Sequence, residues 1–175
     1  MEAWAEVAKP AGVRATAFVR EVLLPDAPDL VPRIVRKYCR FRVSAGESAI
    51  HRWGVFAEEP IPRRRRVIEY TGRKIPASAM ARLAVRTHVY TFWVSETHAV
   101  DGAIGGSGAQ LINHSCDPNL YARVTRGRIF LTSRRAIAVG EELTLDYRIR
   151  GASRALYCHC GSAMCRGRMN APFVG

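Results

Sequence analysis

"LINHSCDPN", residues 111–119, decides how this chain reads, because it sets Cys116 beside Asn113 and His114 well upstream of the other dense cysteine stretch, "CHCGSAMC" at 158–165. Four of the five cysteines lie in these two places. Cys158, Cys160 and Cys165 follow C-x-C-x4-C, which gathers three thiols in one tight loop, and a tetrahedral zinc ion needs a fourth ligand. Cys116 is the candidate for it. Buried thiols of no common purpose are the plain alternative, yet such a cluster in a reducing compartment rarely lacks a metal or redox role. A disulfide is the weaker reading, since Cys158 and Cys160 are too close in sequence to pair comfortably. His159 stands between two ligands, where adjacent side chains usually point apart. Cys39 is read as a small buried hydrophobe outside the cluster. One structural zinc would tie the C-terminal tail to the loop carrying Asn113 and His114, coupling metal binding to ordering of that tail.

A length of 175 residues matches one folded unit with appendages. No apolar run approaches the length that spans a bilayer, so no membrane partner is expected. The start, "MEAWAEVAKPAG", has neither a basic n-region nor an apolar h-region, which points to an intracellular chain with reduced cysteines. The formal net charge of +12 favours polyanionic partners without implying any particular fold. Nearly all of it is arginine, for Lys9, Lys37 and Lys74 are the only lysines. The run Arg63, Arg64, Arg65, Arg66 reads first as a solvated turn and second as a nucleic-acid contact.

Residues 1–39, punctuated by Pro10, Pro25 and Pro28, read as an N-terminal arm or flank. From Arg40 short β-type runs follow one another: "FRV", "GVFAEE", "RVIEYTG", "HVYTFWV", "NLYARV", "RIFLTS" and "ELTLDY". "ARVTRGRIFLTS" reads as a hairpin closing at Arg126 and Gly127. One helix is expected from Pro76 to Val85, with Met80, Leu83 and Ala84 on a shared face. The expected architecture is mainly β, built from several small sheets.

"LINHSCDPN", "GEELTLDY" and "CHCGSAMC", in this order, resemble the SET-domain protein lysine methyltransferases with a post-SET zinc motif. "SAIHRWGVFA" is similar to the family's cofactor-binding turn, "VIEYTG" to its next strand and "YTF" to its central tyrosine strand, so the likeness runs from about Arg40 to Asn170. The resemblance implies a SET domain over residues 40–150, a post-SET segment over 151–175, and a pseudoknot in which the "LTLDY" segment passes through or under the "INHSC" loop. It implies S-adenosylmethionine as methyl donor and one structural zinc on Cys116, Cys158, Cys160 and Cys165. It assigns His51, Trp53, Gly54, Asn113, His114, His159 and Met169 to the cofactor. Tyr147 and Tyr90 are assigned to the methyl-transfer site, where they also border the cofactor. A phenol with an ordinary pKa near 10 is a poor base at neutrality, so Tyr147 is expected mainly to orient and to stabilise charge. Leu145 falls at the family's product-degree position, where its size and lack of a hydroxyl would permit di- or trimethylation.

Several positions depart from the family pattern. Arg52 replaces a common glycine in the cofactor turn, at a cost if that backbone requires a positive φ. Gln110, Leu111 and Ser107 also differ. Three readings therefore stand side by side: an active methyltransferase, a SET module that binds cofactor or peptide without turnover, and a zinc-stapled basic nucleic-acid binder. The implied substrate presents a lysine, in a histone tail or elsewhere; a histone or another chromatin protein bound to nucleic acid suits the basic charge, and nuclear chromatin or a nucleoid is the expected location, with the cytoplasm as the alternative. A free basic tail would need an acidic groove, for which Glu69, Glu96, Asp101 and Asp146 are the candidates, with Asp101 also readable as a turn residue and Asp146 as an anchor.

Overall fold

The computed structural model describes residues 32–79, 90–149 and 156–170. Ten strands form within these ranges, accompanied by short 3-10 turns and no longer helix. β1 (Val43–Glu47) and β2 (Trp53–Ala57) form a hairpin in which Val43 faces Ala57. β3 (Arg66–Tyr70) and β4 (Arg73–Pro76) follow. β5 (Thr91–Trp93) and β6 (His98–Asp101) pair beside β4 in a three-stranded sheet of order β4-β6-β5. β7 (Asn113–His114), β8 (Leu120–Thr125), β9 (Arg128–Ser133) and β10 (Glu142–Leu145) complete a seven-stranded sheet of order β1-β2-β10-β8-β9-β3, with β7 joined to β10.

Alternation explains why these runs become strands. On β9, Ile129 and Leu131 are buried while Arg128 and Phe130 face outward, the period-two pattern of a sheet with one covered face. Val55, Val67, Ile68, Leu120 and Leu143 converge on the same core. The β8–β9 hairpin closes where expected: Arg126 and Gly127 both adopt positive φ, 50° and 70°, as a two-residue turn matched to strand twist requires.

The expected helix is corrected at its start. Pro76 ends β4 rather than opening a helix, and Ala77–Ala79 make a single 3-10 turn. A proline is tolerated there because β4 is an edge strand and Pro76 its last residue. Met80, Leu83 and Ala84 lie outside the described residues. Residues 32–39, assigned above to the flank, lie against the body: Val35 N–H donates to the Ser107 carbonyl at 2.9 Å and Cys39 bridges to Ile68.

β10 organises the rest. It pairs antiparallel with β2 and parallel with both β7 and β8, so it touches both limbs of the loop that surrounds Cys116. On the first limb Ser115 N–H donates to the Leu145 carbonyl at 3.1 Å. On the second, buried Asn119 receives the Thr144 N–H on Oδ1 at 2.9 Å and donates its amide to the Glu142 carbonyl at 2.8 Å. This is the late strand held inside an earlier loop that the resemblance implied.

Candidate active site and thiol cluster

A hub of hydrogen bonds sets the turn before β2. Ser48 Oγ lies 2.8 and 2.9 Å from the two oxygens of Glu142, and its oxygen caps the N–H of Ile50 at 2.9 Å. The Asn113 amide nitrogen lies 2.8 Å from Glu142 Oε1, 2.9 Å from the Trp53 carbonyl and 3.2 Å from the His51 carbonyl. That nitrogen is therefore used within the protein, bracing the turn of His51 and Trp53 against β7. Gly54 lets the hub close as it does, because a Cβ at that position would come within 2.4 Å of Glu142 Oε1 and force that carboxylate away from its partners. Ser48 and Glu142 are missed by the sequence reading, although Glu142 stands in "GEELTLDY". Arg52, where glycine was expected, does take a positive φ of 42°, so the anticipated strain is present.

His114 and Tyr147 fix each other. The Tyr147 N–H donates to His114 Nδ1 at 3.1 Å, so the neutral ring carries its proton on Nε2, which faces Cys116 Sγ at 3.5 Å. Burial holds His114 below its ordinary pKa, and Arg166 adds to this against the opposing pull of Asp146. The 3.7 Å approach of His114 to Asp146 is accordingly no ion pair near neutrality. Asp146 instead takes a bidentate guanidinium from Arg166, at 3.0 and 2.8 Å. Burial raises the Asp146 carboxyl, but Arg166, the Arg148 N–H and His114 together outweigh that and hold it below the carboxylate range.

Three phenols gather near Ile112. Tyr147 OH donates to the Ile112 carbonyl at 2.8 Å, and Tyr70 OH donates to the Tyr90 carbonyl at 2.6 Å. Gly102 N–H meets the same Tyr90 carbonyl at 2.7 Å, which fixes the backbone at Tyr90 from two sides. Burial pushes the Tyr147 phenol above its ordinary value, and nearby Tyr90 and Glu142 add to the rise. Tyr70 is raised likewise, by burial and then by Tyr147, Asp101 and Tyr90. Tyr147 is thus protonated at neutrality and engaged as a donor, which suits an orienting group better than a base. Tyr70 was read only as part of a strand; its place in "VIEYTG" was the available signal.

The thiols of Cys116, Cys158, Cys160 and Cys165 all lie within 4.8 Å of one another. Zinc–sulfur bonds of about 2.3 Å in a tetrahedron place sulfurs about 3.8 Å apart, and Cys116 and Cys158 are separated by 3.7 Å. Backbone N–H groups aim at the cluster: Cys116 N–H at Cys160 Sγ (3.5 Å), Arg166 N–H at Cys116 Sγ (3.3 Å) and Gly167 N–H at Cys165 Sγ (3.4 Å). Such donors stabilise thiolates and orient ligands. Burial works against the Cys160 thiolate, but the N–H groups of Cys116 and Ser162 and the neighbouring thiols bring its pKa down to about 6. The donor set fits a divalent metal. His159 is not part of this group, and Cys39 is also outside it, half-buried against the core with its thiol raised by burial.

One cleft joins the two halves. It is lined by Ile50, His51, Asn113, His114 and Tyr147 from the body and by Tyr157, Cys158, His159, Cys160 and Met169 from the tail. Trp53, Gly54 and Tyr90 are not part of this lining. Leu145 is buried in the core cluster, its carbonyl held by Ser115. The tail's far end docks on the segment after β10, with the Ile149 N–H donating to the Met169 carbonyl at 3.3 Å and Asn170 bridged to Ile149. The departures at 107 and 110 are absorbed locally: buried Ser107 donates to the Glu69 carbonyl at 2.6 Å, and Gln110 Oε1 receives the Gly108 N–H at 2.9 Å. Three of the four candidate groove acids are engaged elsewhere. Glu69 pairs with Arg128, Asp146 with Arg166, and Asp101 is buried with its carboxylate on the Ala103 N–H.

Residues 52–148 match the family model of the SET domain. The chain is 35% identical over 153 residues to histone-lysine N-methyltransferase SETD1A of Homo sapiens, covering 81% of this chain and 9% of that protein. It is 39% identical over 142 residues to histone-lysine N-methyltransferase ATX2 of Arabidopsis thaliana, covering 75% of this chain and 13% of the relative. Histone H3-lysine(4) N-trimethyltransferase ATX1 of the same plant is 38% identical over 149 residues, covering 79% of this chain and 14% of the relative. The chain thus spans a small part of the length of the curated relatives it matches.

Proposed function

The chain belongs to the SET-domain family, and from that premise we propose that it is an S-adenosylmethionine-dependent protein lysine N-methyltransferase acting on a histone or another DNA-associated protein. The convergence of Asn113, His114 and Tyr147 with tail residues His159 and Met169 on one cleft carries this reading. S-adenosylmethionine, when bound, supplies an electrophilic methyl group for in-line displacement. His51, Asn113 and His114 would hold it from the body and His159 and Met169 from the tail, with Trp53 and Gly54 supporting the turn. Cys116, Cys158, Cys160 and Cys165 would hold one structural zinc that keeps the tail in place.

The chemistry asked of the protein is mostly positioning. A lysine ammonium, with an ordinary pKa near 10.4, has to lose its proton before its nitrogen can attack, and an apolar, cationic setting favours the neutral amine. Tyr147, held protonated, and Tyr90 would present oxygens that orient the amine rather than remove its proton. Leu145 offers no hydroxyl to restrict the amine, so di- and trimethylated products are expected; mass spectrometry that finds monomethyl-lysine alone at long times overturns that point.

Incubation with labelled S-adenosylmethionine and histones tests the whole reading. Transfer of label that falls at least about a hundredfold in Tyr147→Phe supports it. The strained Arg52 favours one second reading, a module that binds without turnover. Tight cofactor binding with no transfer to any histone or extract protein would establish that instead.

A further inference from the structure

We propose that the arginine turn between Ile61 and Val67, together with Arg40, forms a docking groove for the phosphate backbone of duplex DNA. The inference deepens the reading above, since it says how a DNA-associated substrate would be approached, and it rests on that reading for its choice of DNA. The groove is lined by Arg40, Phe41, Pro62, Arg65 and Arg66, so cationic side chains border an apolar floor.

Two features separate this face from an ordinary solvated charge run. The first is that its charge is uncompensated. Glu59, Glu69 and Glu141 are held by Arg42, Arg128 and Arg135, and among the described residues Arg40, Arg64 and Arg65 are exposed with no carboxylate in ion-pair reach. The second is that the turn is rigid. Ser133 Oγ donates to the Pro62 carbonyl at 2.6 Å and receives the Arg65 N–H at 2.9 Å, while the Ser133 carbonyl receives the Arg64 N–H at 2.9 Å. Arg66 is stacked on Phe130, its guanidinium carbon 4.3 Å from the ring centroid, and Arg63 Nε donates to the Arg134 carbonyl at 3.0 Å. A turn whose backbone is already fixed has less freedom to lose when its arginines meet phosphates, and each contact releases condensed counterions.

Fluorescence anisotropy of the full chain against a labelled duplex, without cofactor, tests the groove across a salt series. The expected plot of log affinity against log salt has a slope of about −3 or steeper. Arg40→Ala/Arg64→Gly/Arg65→Ala touches no described side-chain bond and should fold as the parent does. It is expected to flatten the slope by about 3 and to weaken binding at least about tenfold near 0.1 M salt. Arg73→Ala/Lys74→Ala on β4, a basic pair on the other sheet, should leave the slope unchanged. The proposal is overturned if the triple variant binds as the parent does, if binding ignores salt, or if single-stranded RNA or an acidic peptide outcompetes the duplex. Labelled methyl transfer to a short lysine peptide, unchanged in the triple variant, keeps the two readings apart: a failure of transfer with the slope intact removes the enzyme reading and leaves the groove.

Discussion

The body and the tail of this molecule are held together by different physics. In the body, Val55, Val67, Leu120, Leu131 and Leu143 are wholly buried and the sheet is continuous from β1 to β3. The tail, residues 156–170, has only isolated bridges, and Cys158 and Met169 are its only buried residues among those described. Its attachments are the thiol cluster, the Arg166–Asp146 pair and the bridge from Ile149 to Asn170. Apolar burial makes one wall of the cleft permanent, while the other wall depends on polar contacts and on the thiol cluster, the site proposed for zinc.

The sharpest way to break this contrast is to remove the metal chemistry. Cys116→Ser, or a strong chelator, should free the tail to proteolysis and weaken cofactor binding by about a hundredfold or more, while the thermal transition of the body persists; structural zinc sites contribute on the order of 10 kcal/mol to local folding. A coincident loss of body and tail in both assays would show that the two are one cooperative unit. Leu143→Ala does the reverse. It should cost about 2–5 kcal/mol of global stability in denaturant melts, because a wholly buried side chain is deleted from between β2 and β8.

Asp146→Asn comes next, with an expected loss of about 1–2 kcal/mol in tail protection, read by hydrogen exchange at residues 156–170. The sign of its pH dependence follows from a folded pKa held below the ordinary value. The pair contributes fully above the ordinary aspartate pKa of about 3.9 and is lost as pH falls through the lower folded value. The difference in tail protection between parent and mutant, which isolates the pair from the thiol cluster, should therefore be flat from about pH 5 to 8. The smallest expected effect is a gain: Arg52→Gly should raise stability by up to about 1 kcal/mol in thermal melts, through relief of the positive φ.

Much of this was legible because chemistry-bearing residues come in local words. "NHSC" and "CHCGSAMC" announce ligands, and the tetrahedral demand of a metal ties them together across more than forty residues of chain. The hairpin at Arg126 and Gly127 was readable from turn chemistry alone. β4 and β6 escaped, since "RKIP" and "HAVD" are too short and too polar to show alternation, and pairing with each other is what makes them strands. The Ser48–Glu142–Asn113 hub was invisible for a different reason. Its members are ordinary polar residues, separated by 65 and 94 positions, and only the placement of β10 brings them into contact.

That placement also sets an order of events during synthesis. Both limbs of the Cys116 loop close on β10, which the ribosome delivers more than twenty residues later. Until then Asn119 has no Thr144 to hold, and the unclosed loop exposes its apolar neighbours to whatever else is in the cell. Nascent chains halted near residue 130 should accordingly recruit holding chaperones, and chains released beyond residue 150 should shed them.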